Sequence, residues 1–326
     1  ATLLAAQLQQ AGIEAITAGA EGGYLNAFGL SPGALILEAQ PSALNNVDPV
    51  EFHAAAILNL SEEDGRAVGN RTREACAELL ARSHFAVLGV DDNGAQSLLM
   101  TLRKKEPKKA GALVPISGGA TLSDGWFAID RVVYAIRNGR TRRVANYAAS
   151  AVLIGDHFAQ DAAAASALAS HLGLTDDAIA AGLLAFQGCA GRFECIGADG
   201  RIVFVDDRYA ACEASTRAAI AACPDVFWIG CRTGPLNRHV EAGLRGRFFV
   251  QADTAQSPPV DDVVTFADVE SASVAALQAA REYVAADPSA TPVLLYSPGL
   301  PGFDRQGELF RLMALGSLSG VRTAHG

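Results

Sequence analysis

Short runs of β-branched and aromatic residues alternate along the chain with Ala- and Leu-rich stretches of helical spacing. That alternation predicts parallel strands covered by helices, an α/β fold. Ala1–Ala11 reads as a helix closed by Gly12. Strands are expected at Ala34–Leu37, Ala54–Leu60 and Phe85–Val90, with a helix near Arg71–Arg82 between the last two. Leu113–Ser117, Gly125–Ile129 and Val132–Arg137 read as short antiparallel strands separated by turns. A helix from Gln160 to Leu172 follows, then a second from Asp176 to Phe186 with Thr175 as its N-cap.

The turn-rich Gly188–Glu194 (GCAGRFE) predicts a domain boundary, giving domains at 1–188 and 189–326. Beyond it the alternation restarts, with strands at Ile202–Val205, Val226–Ile229, Phe248–Val250, Val263–Phe266 and Val293–Tyr296 and a helix at Ser271–Ala285. Five strands with intervening helices describe a second, Rossmann-like domain. Gly197–Arg201 (GADGR) reads as a hairpin turn.

Composition narrows the function classes. The 326 residues are 50% hydrophobic and 19% charged, which fits globular domains and argues against disorder. A net charge of −9 argues against nonspecific nucleic-acid binding. The basic cluster Arg103, Lys104, Lys105, Lys108 and Lys109 surrounds a proline and reads as a solvated loop. No apolar run reaches the ~18 residues that span a bilayer, and the first residues show no secretory-signal pattern. Six cysteines lie scattered without a CxxC pair, which points to reduced structural thiols rather than zinc ligands or a disulfide framework.

The richest stretch for chemistry is Arg201–Thr216 (RIVFVDDRYAACEAST). A β-branched and aromatic strand runs into Asp206 and Asp207 and then into a helical pattern. Ligands of open α/β sheets sit at the carboxyl ends of strands, so these two aspartates occupy a favoured position.

The run is similar to the Asn-Asp-Ser-Lys-Ala-Thr-Asn motif of the Mur ligase family of peptidoglycan synthesis, in its D-glutamate-adding branch. Further stretches carry the resemblance in the same order: His84–Asp92 (HFAVLGVDD), Val114–Gly119 (VPISGG), Gly125–Ala128 (GWFA) and Leu153–His157 (LIGDH). Gly191–Glu194 (GRFE), Asp225–Cys231 (DVFWIGC) and Ser297–Asp304 (SPGLPGFD) complete it. The resemblance implies a central P-loop-like ATPase domain with a parallel sheet over 1–188, without its first strand and P-loop, and the C-terminal Rossmann-like domain over 189–326. No GxxxxGK[ST] occurs in the 326 residues. A strand and such a loop would immediately precede the helix at Ala1, so upstream residues are expected.

Carried over position by position, the resemblance implies ATP and Mg²⁺ as cofactors where a site survives. It implies Glu38 as a catalytic and metal-binding carboxylate, and Asp64, in Asn59–Asp64 (NLSEED), as a metal ligand in place of a histidine. Glu78 would stand where the family has a carbamylated lysine, although a charge on a helix surface is the simpler account. His157, Asp161, Arg192 and Asp207 would meet the nucleotide, with Asp207 also catalytic. Ser297 and Phe303 would line the amino-acid pocket. Within the motif itself, serine has become Arg208, lysine Tyr209 and threonine Ala211.

Three functional readings follow. The first is a ligase homologue that has lost catalysis and keeps a binding or regulatory role in the cytoplasm, its partner another cell-wall enzyme or a retained ligand. The second is a working ATP-dependent ligase with its P-loop and nucleotide-sugar domain upstream, joining D-glutamate or another amino acid to a UDP-N-acetylmuramoyl peptide precursor. The third, a nicotinamide-dependent oxidoreductase, is disfavoured because no GxGxxG follows a strand and Gly22–Gly29 (GGYLNAFG) has the wrong spacing.

Overall fold

A computed structural model describes residues 1–19, 33–39, 51–60, 70–105, 111–231, 243–250, 265–300 and 302–323. The chain divides into two units, 1–187 and 188–326. Both are α/β. No helix among the described residues is long and apolar enough to cross a membrane.

The first unit begins with α1 (Thr2–Gln10), β1 (Ala15–Gly19) and β2 (Ala34–Glu38), the two strands pairing in parallel. A six-stranded sheet follows. It comprises β3 (Phe52–Ile57), β4 (Ser83–Gly89), β5 (Leu113–Ser117), β6 (Gly125–Ile129), β7 (Val132–Arg137) and β8 (Arg140–Asn146), side by side in chain order. Helices α2 (Asn70–Ala81) and α3 (Asn93–Lys105) cover one face, and their apolar residues close around Ile57, Leu88 and Leu113. The other face carries α4 (Phe158–His171) and α5 (Asp176–Ala185), packed with α1 on Val87, Ile116 and Val133. Helix α4 buries Ala162, Ala163, Ala164, Ala165, Ala167 and Ala169. Small side chains on nearly every face let it lie between the sheet and two other helices.

Several expectations change here. Strands β3 and β4 start two residues earlier than the apolar runs suggest and end earlier too, β3 stopping at Ile57. Strand β5 runs parallel to both β4 and β6, so of the three expected antiparallel strands β6 and β7 alone pair that way with each other. Strand direction is invisible in short buried runs, because alternation carries no sense of polarity. The Arg-rich β8 does not read as a strand. It is an exposed edge, turned back onto β7 through Asn138 and Gly139, both at positive φ. The basic cluster is likewise not all loop: Arg103, Lys104 and Lys105 form the last turn of α3, and Arg103 donates to the Leu113 carbonyl at 2.8 Å. Cations suit that end of a helix. Thr175 caps α5 as read, accepting from the Ala178 amide at 3.3 Å.

Gly89, the last residue of β4, has no room for a side chain. An added Cβ would stand 1.8 Å from the Leu58 carbonyl oxygen and 2.5 Å from Gln160 Nε2. Backbone cannot yield cheaply, so Gly89→Ala should cost at least about 1–3 kcal/mol. A urea-unfolding midpoint unchanged from the parent would contradict this.

The second unit holds β9 (Glu194–Asp199), β10 (Ile202–Asp206), β11 (Val226–Gly230), β12 (Leu244–Val250), β13 (Thr265–Phe266) and β14 (Val293–Tyr296). Their order is β13-β12-β11-β14-β10-β9, all parallel except the hairpin strand β9. Helices are α6 (Glu213–Ala221), α7 (Val269–Ala286) and α8 (Gly307–Thr323). Asp268 caps α7, accepting from Ser271 N at 2.7 Å. Val269, Ala272 and Ala276 of α7, with Phe310 and Ala314 of α8, bury against Phe204, Ile229, Leu294 and Tyr296. The unit thus has a sixth strand, β9, and a final helix beyond those predicted. All six cysteines are free thiols.

Candidate functional site

In the second unit, β10 and β14 end side by side, with Asp206 registered against Tyr296. Ionisable groups crowd this carboxyl edge. Asp206 and Arg208 are 0% and 8% exposed. The Arg208 guanidinium turns inward, donating from Nε to Asp206 Oδ2 at 2.8 Å and from Nη1 to Glu308 in the first turn of α8. Burial alone would lower the Arg208 pKa, but hydrogen bonds and charge from Asp206 and Glu308 outweigh it and raise it. Arg311 of α8 extends the cluster, donating to Glu194 Oε2 at 2.7 Å.

Asp207 faces elsewhere. Its Oδ1 accepts from the Phe193 amide at 3.1 Å, and its Oδ2 accepts from Ser297 Oγ at 3.0 Å. Thr216 Oγ1 lies 3.0 Å from the same serine oxygen. Phe193 sits at φ +49°, a left-handed conformation rare for a bulky residue, and its bond to Asp207 helps hold it there. Burial, aided by the neighbouring Asp206 charge, raises the Asp207 pKa to about 7, against the opposing pull of Ser297, the Phe193 amide and Arg192. Near neutrality Asp207 is therefore a partly protonated carboxyl. It lies against the Ser297 hydroxyl, and both Ser297 and its neighbour Thr216 are fully buried.

Tyr209 is exposed, with the Arg192 guanidinium 5.3 Å from its ring centroid, a cation–π arrangement. The structure thus gathers Arg192, Asp207 and Ser297 on one sheet edge. Phe303 packs on the same unit's core and offers its carbonyl to Tyr296 Oη at 2.8 Å.

In the first unit the carboxyl ends of β4 and β5 meet the start of α4. Asp91, just after β4, accepts from Gly118 N at 2.8 Å and Gln160 Nε2 at 2.9 Å, and from Ser117 Oγ. Asp92 accepts from Leu60 N at 3.0 Å and caps α3 through Ala95 N at 2.9 Å. His157 is the residue before α4, its ring 4.1 Å from that of Phe158. Burial lowers its pKa to about 4, against the charge of Asp156, so it is neutral at pH 7 and brings no positive charge to a phosphate. Asp161 lies in the first turn of α4, where the helix dipole favours a carboxylate.

The remaining candidates are dispersed. Glu38 ends β2, exposed and registered opposite Gly19. Glu78 lies on α2 with its side chain largely exposed, 3.3 Å from Arg82 one turn on. Asp64 falls outside the described residues. Among the described residues no group of three or more His, Cys, Asp or Glu is placed to hold a metal ion. The described residues therefore do not by themselves form a Mg²⁺ site.

Sequence reasoning missed Thr216, the Asp91–Ser117–Gln160 brace and the Glu194–Arg311 pair. Only Asp92 had a local signal, a cap-type residue three positions before Ala95. The other partners are separated by 26 to 117 residues, so no spacing rule finds them.

No protein-family model matches the chain. Among curated proteins it is similar to the UDP-N-acetylmuramoylalanine–D-glutamate ligase of Phenylobacterium zucineum, 26% identical over 314 residues. The enzyme of that name from Mesorhizobium japonicum is 29% identical over 307 residues. Each alignment takes in 89% of this chain, and the chain spans 64% of the length of each relative. Among solved structures, the MurF ligase of Thermotoga maritima in complex with ADP superposes over 95% of this chain and 76% of its own, with a TM-score of 0.60 and 15% identity. The apo form of L. casei FPGS superposes over 96% and 87%, with a TM-score of 0.59 and 12% identity. Both share the two-unit α/β fold.

Proposed function

Because this chain is a homologue of the Mur ligases of peptidoglycan biosynthesis, we propose that it has a binding or regulatory role in that setting and does not itself form the amide bond. Residues 1–188 would be the ATPase-type domain and 189–326 the C-terminal domain, in a cytoplasmic protein. One observation carries the reading: the only cation within the altered motif, Arg208, is committed to Asp206 and Glu308. Beside it Tyr209 stands at the lysine position, and a phenol is uncharged at neutral pH.

Forming an acyl phosphate and passing it to an amine needs positive charge at the transferring group. Loss of one such donor typically costs ~10²–10³ in rate. Here the lysine is replaced, the serine's successor is buried in ion pairs, and His157 is neutral. Ser297 spends its hydroxyl on Asp207. One candidate for a retained ligand is a nucleotide, met by His157 and Asp161 in the first unit or by Arg192 and Asp207 in the second. A UDP-N-acetylmuramoyl peptide or D-glutamate, at Ser297 and Phe303, is the other candidate ligand. The partner would be another cell-wall enzyme.

The test uses protein expressed with all its natural upstream residues. ATP turnover is followed with Mg²⁺ and UDP-N-acetylmuramoyl-L-alanine, with and without D-glutamate. No D-glutamate-dependent hydrolysis is expected. Turnover that requires D-glutamate and disappears in Asp207→Ala would overturn the proposal in favour of a working ligase. Calorimetry with ATP and Mg²⁺ then reports whether a nucleotide is retained, by loss of binding in Arg192→Ala.

A further inference from the structure

At the opposite end of the strands from Asp91, two histidines stand next to each other. The register pairs Phe52 with Ser83 and Ala54 with Phe85, which sets His53 of β3 beside His84 of β4. In-register neighbours on adjacent strands project to the same face. That face continues through Ala55 and Ile57 on one strand and Ala86 and Leu88 on the other, all buried in the core under α2 and α3. The histidines lie beyond that core and are exposed. Their ring centroids are 6.2 Å apart. Glu51 is exposed as well, with Oε2 3.7 Å from His84 Nε2. The third histidine of this end, His171, is engaged otherwise: it stacks on Phe85 at 4.2 Å and hydrogen-bonds the His53 backbone.

We propose that His53 and His84 form a two-imidazole site for a borderline divalent metal ion such as Zn²⁺ or Ni²⁺, with the Glu51 carboxylate at its margin. Imidazole nitrogens bind Zn²⁺ at ~2.0–2.1 Å, so two rings sharing one ion hold their centroids roughly 5–6 Å apart. The observed 6.2 Å is within a small side-chain rotation of that spacing, and exposed side chains rotate freely. Imidazole suits zinc, nickel and copper and does not suit Mg²⁺, so the site is chemically separate from any nucleotide-bound metal. Two protein ligands and one nearby carboxylate leave positions for water, which sets a modest affinity. The bound ion would clamp β3 to β4.

The experiment is zinc titration calorimetry on chelator-stripped full chain, paired with thermal unfolding with and without Zn²⁺. Binding in the micromolar range is expected, weakened about tenfold or more in His53→Ala and in His84→Ala. Binding should be kept in the control His239→Ala, a histidine of the sequence that is not part of the proposed pair. Zinc should raise Tm of the parent and of His239→Ala but not of the two site variants. Both site residues are exposed, so the variants should fold, and their zinc-free melts report it. No heat up to about 1 mM zinc would overturn the proposal. So would binding that both site variants keep, or binding lost only in His239→Ala.

Discussion

Arg208→Ala should destabilise the second unit by about 3–5 kcal/mol, the cost of stranding a buried carboxylate whose ion-pair partner is removed. Asp206 is fully buried and takes hydrogen bonds from the Arg208 amide, Nε and Nη2. Removing the guanidinium leaves Arg311, 3.9 Å away and already bonded to Glu194, as the nearest cation among the described residues. Glu308 contributes little to the loss, because its side chain is mostly exposed and water replaces its partner. Arg208→Lys should recover only part of the stability, since an ammonium cannot match the guanidinium fork that serves two carboxylates. Urea unfolding followed by tryptophan fluorescence reads this unit through Trp228, which is buried in β11. A loss below about 1 kcal/mol would mean that Asp206 is protonated or hydrated in the folded protein. The cluster would then be no structural lock, and Arg208 would be free to serve a ligand.

The second large effect is stabilising. Asp207→Asn should raise stability above pH 7 by about 2–4 kcal/mol, with the gain fading as pH falls toward 4. The Asp207 pKa rises from its ordinary 3.8 to about 7 on folding, mainly through burial. Below 3.8 the carboxyl is protonated in both states and costs nothing. Between 3.8 and about 7 the folded state holds a proton that the unfolded state has released, so stability declines as pH rises through that window. Above it, the folded protein carries the full penalty of a buried charge. Asparagine removes the charge while keeping an oxygen for the Phe193 amide. Parallel urea titrations at pH 4, 6 and 8 give the answer. Equal stability of the two proteins at pH 8 would show that Asp207 ionises without penalty. A partly protonated carboxyl is a poor partner for a magnesium-bound phosphate, so this measurement bears on the proposed loss of catalysis as well.

Much of the architecture was legible because it is written in local periodicity. The strands Ala34–Glu38 and Val293–Tyr296 and the cap at Thr175 all follow from side-chain spacing within a few residues. Misses occurred where the deciding partner was distant or the signal was polar. Strand β8 is an arginine-rich edge, stabilised by the hairpin turn before it and by Arg142 lying over Trp126 at 5.7 Å. The direction of β5 was set by pairing with β4, which apolar alternation cannot encode.

The candidate site divides along the same line. The placement of Asp206 and Asp207 at a strand's carboxyl end followed from the run IVFVDD, and so did the loss of the motif lysine. What those residues do was decided by neighbours tens of residues away. That Arg208 is committed to Asp206 and to Glu308, 100 residues later, is visible only in the fold. The bond from the Ser297 hydroxyl to Asp207, 90 residues earlier, has no counterpart in local spacing. The sequence by itself determined the class of fold, the strand ends and the chemical inventory, because these depend on interactions within a turn or a strand. Only the tertiary structure decided which charges neutralise one another and which carboxyl keeps its proton, because electrostatic energy depends on distance and burial rather than on position in the chain.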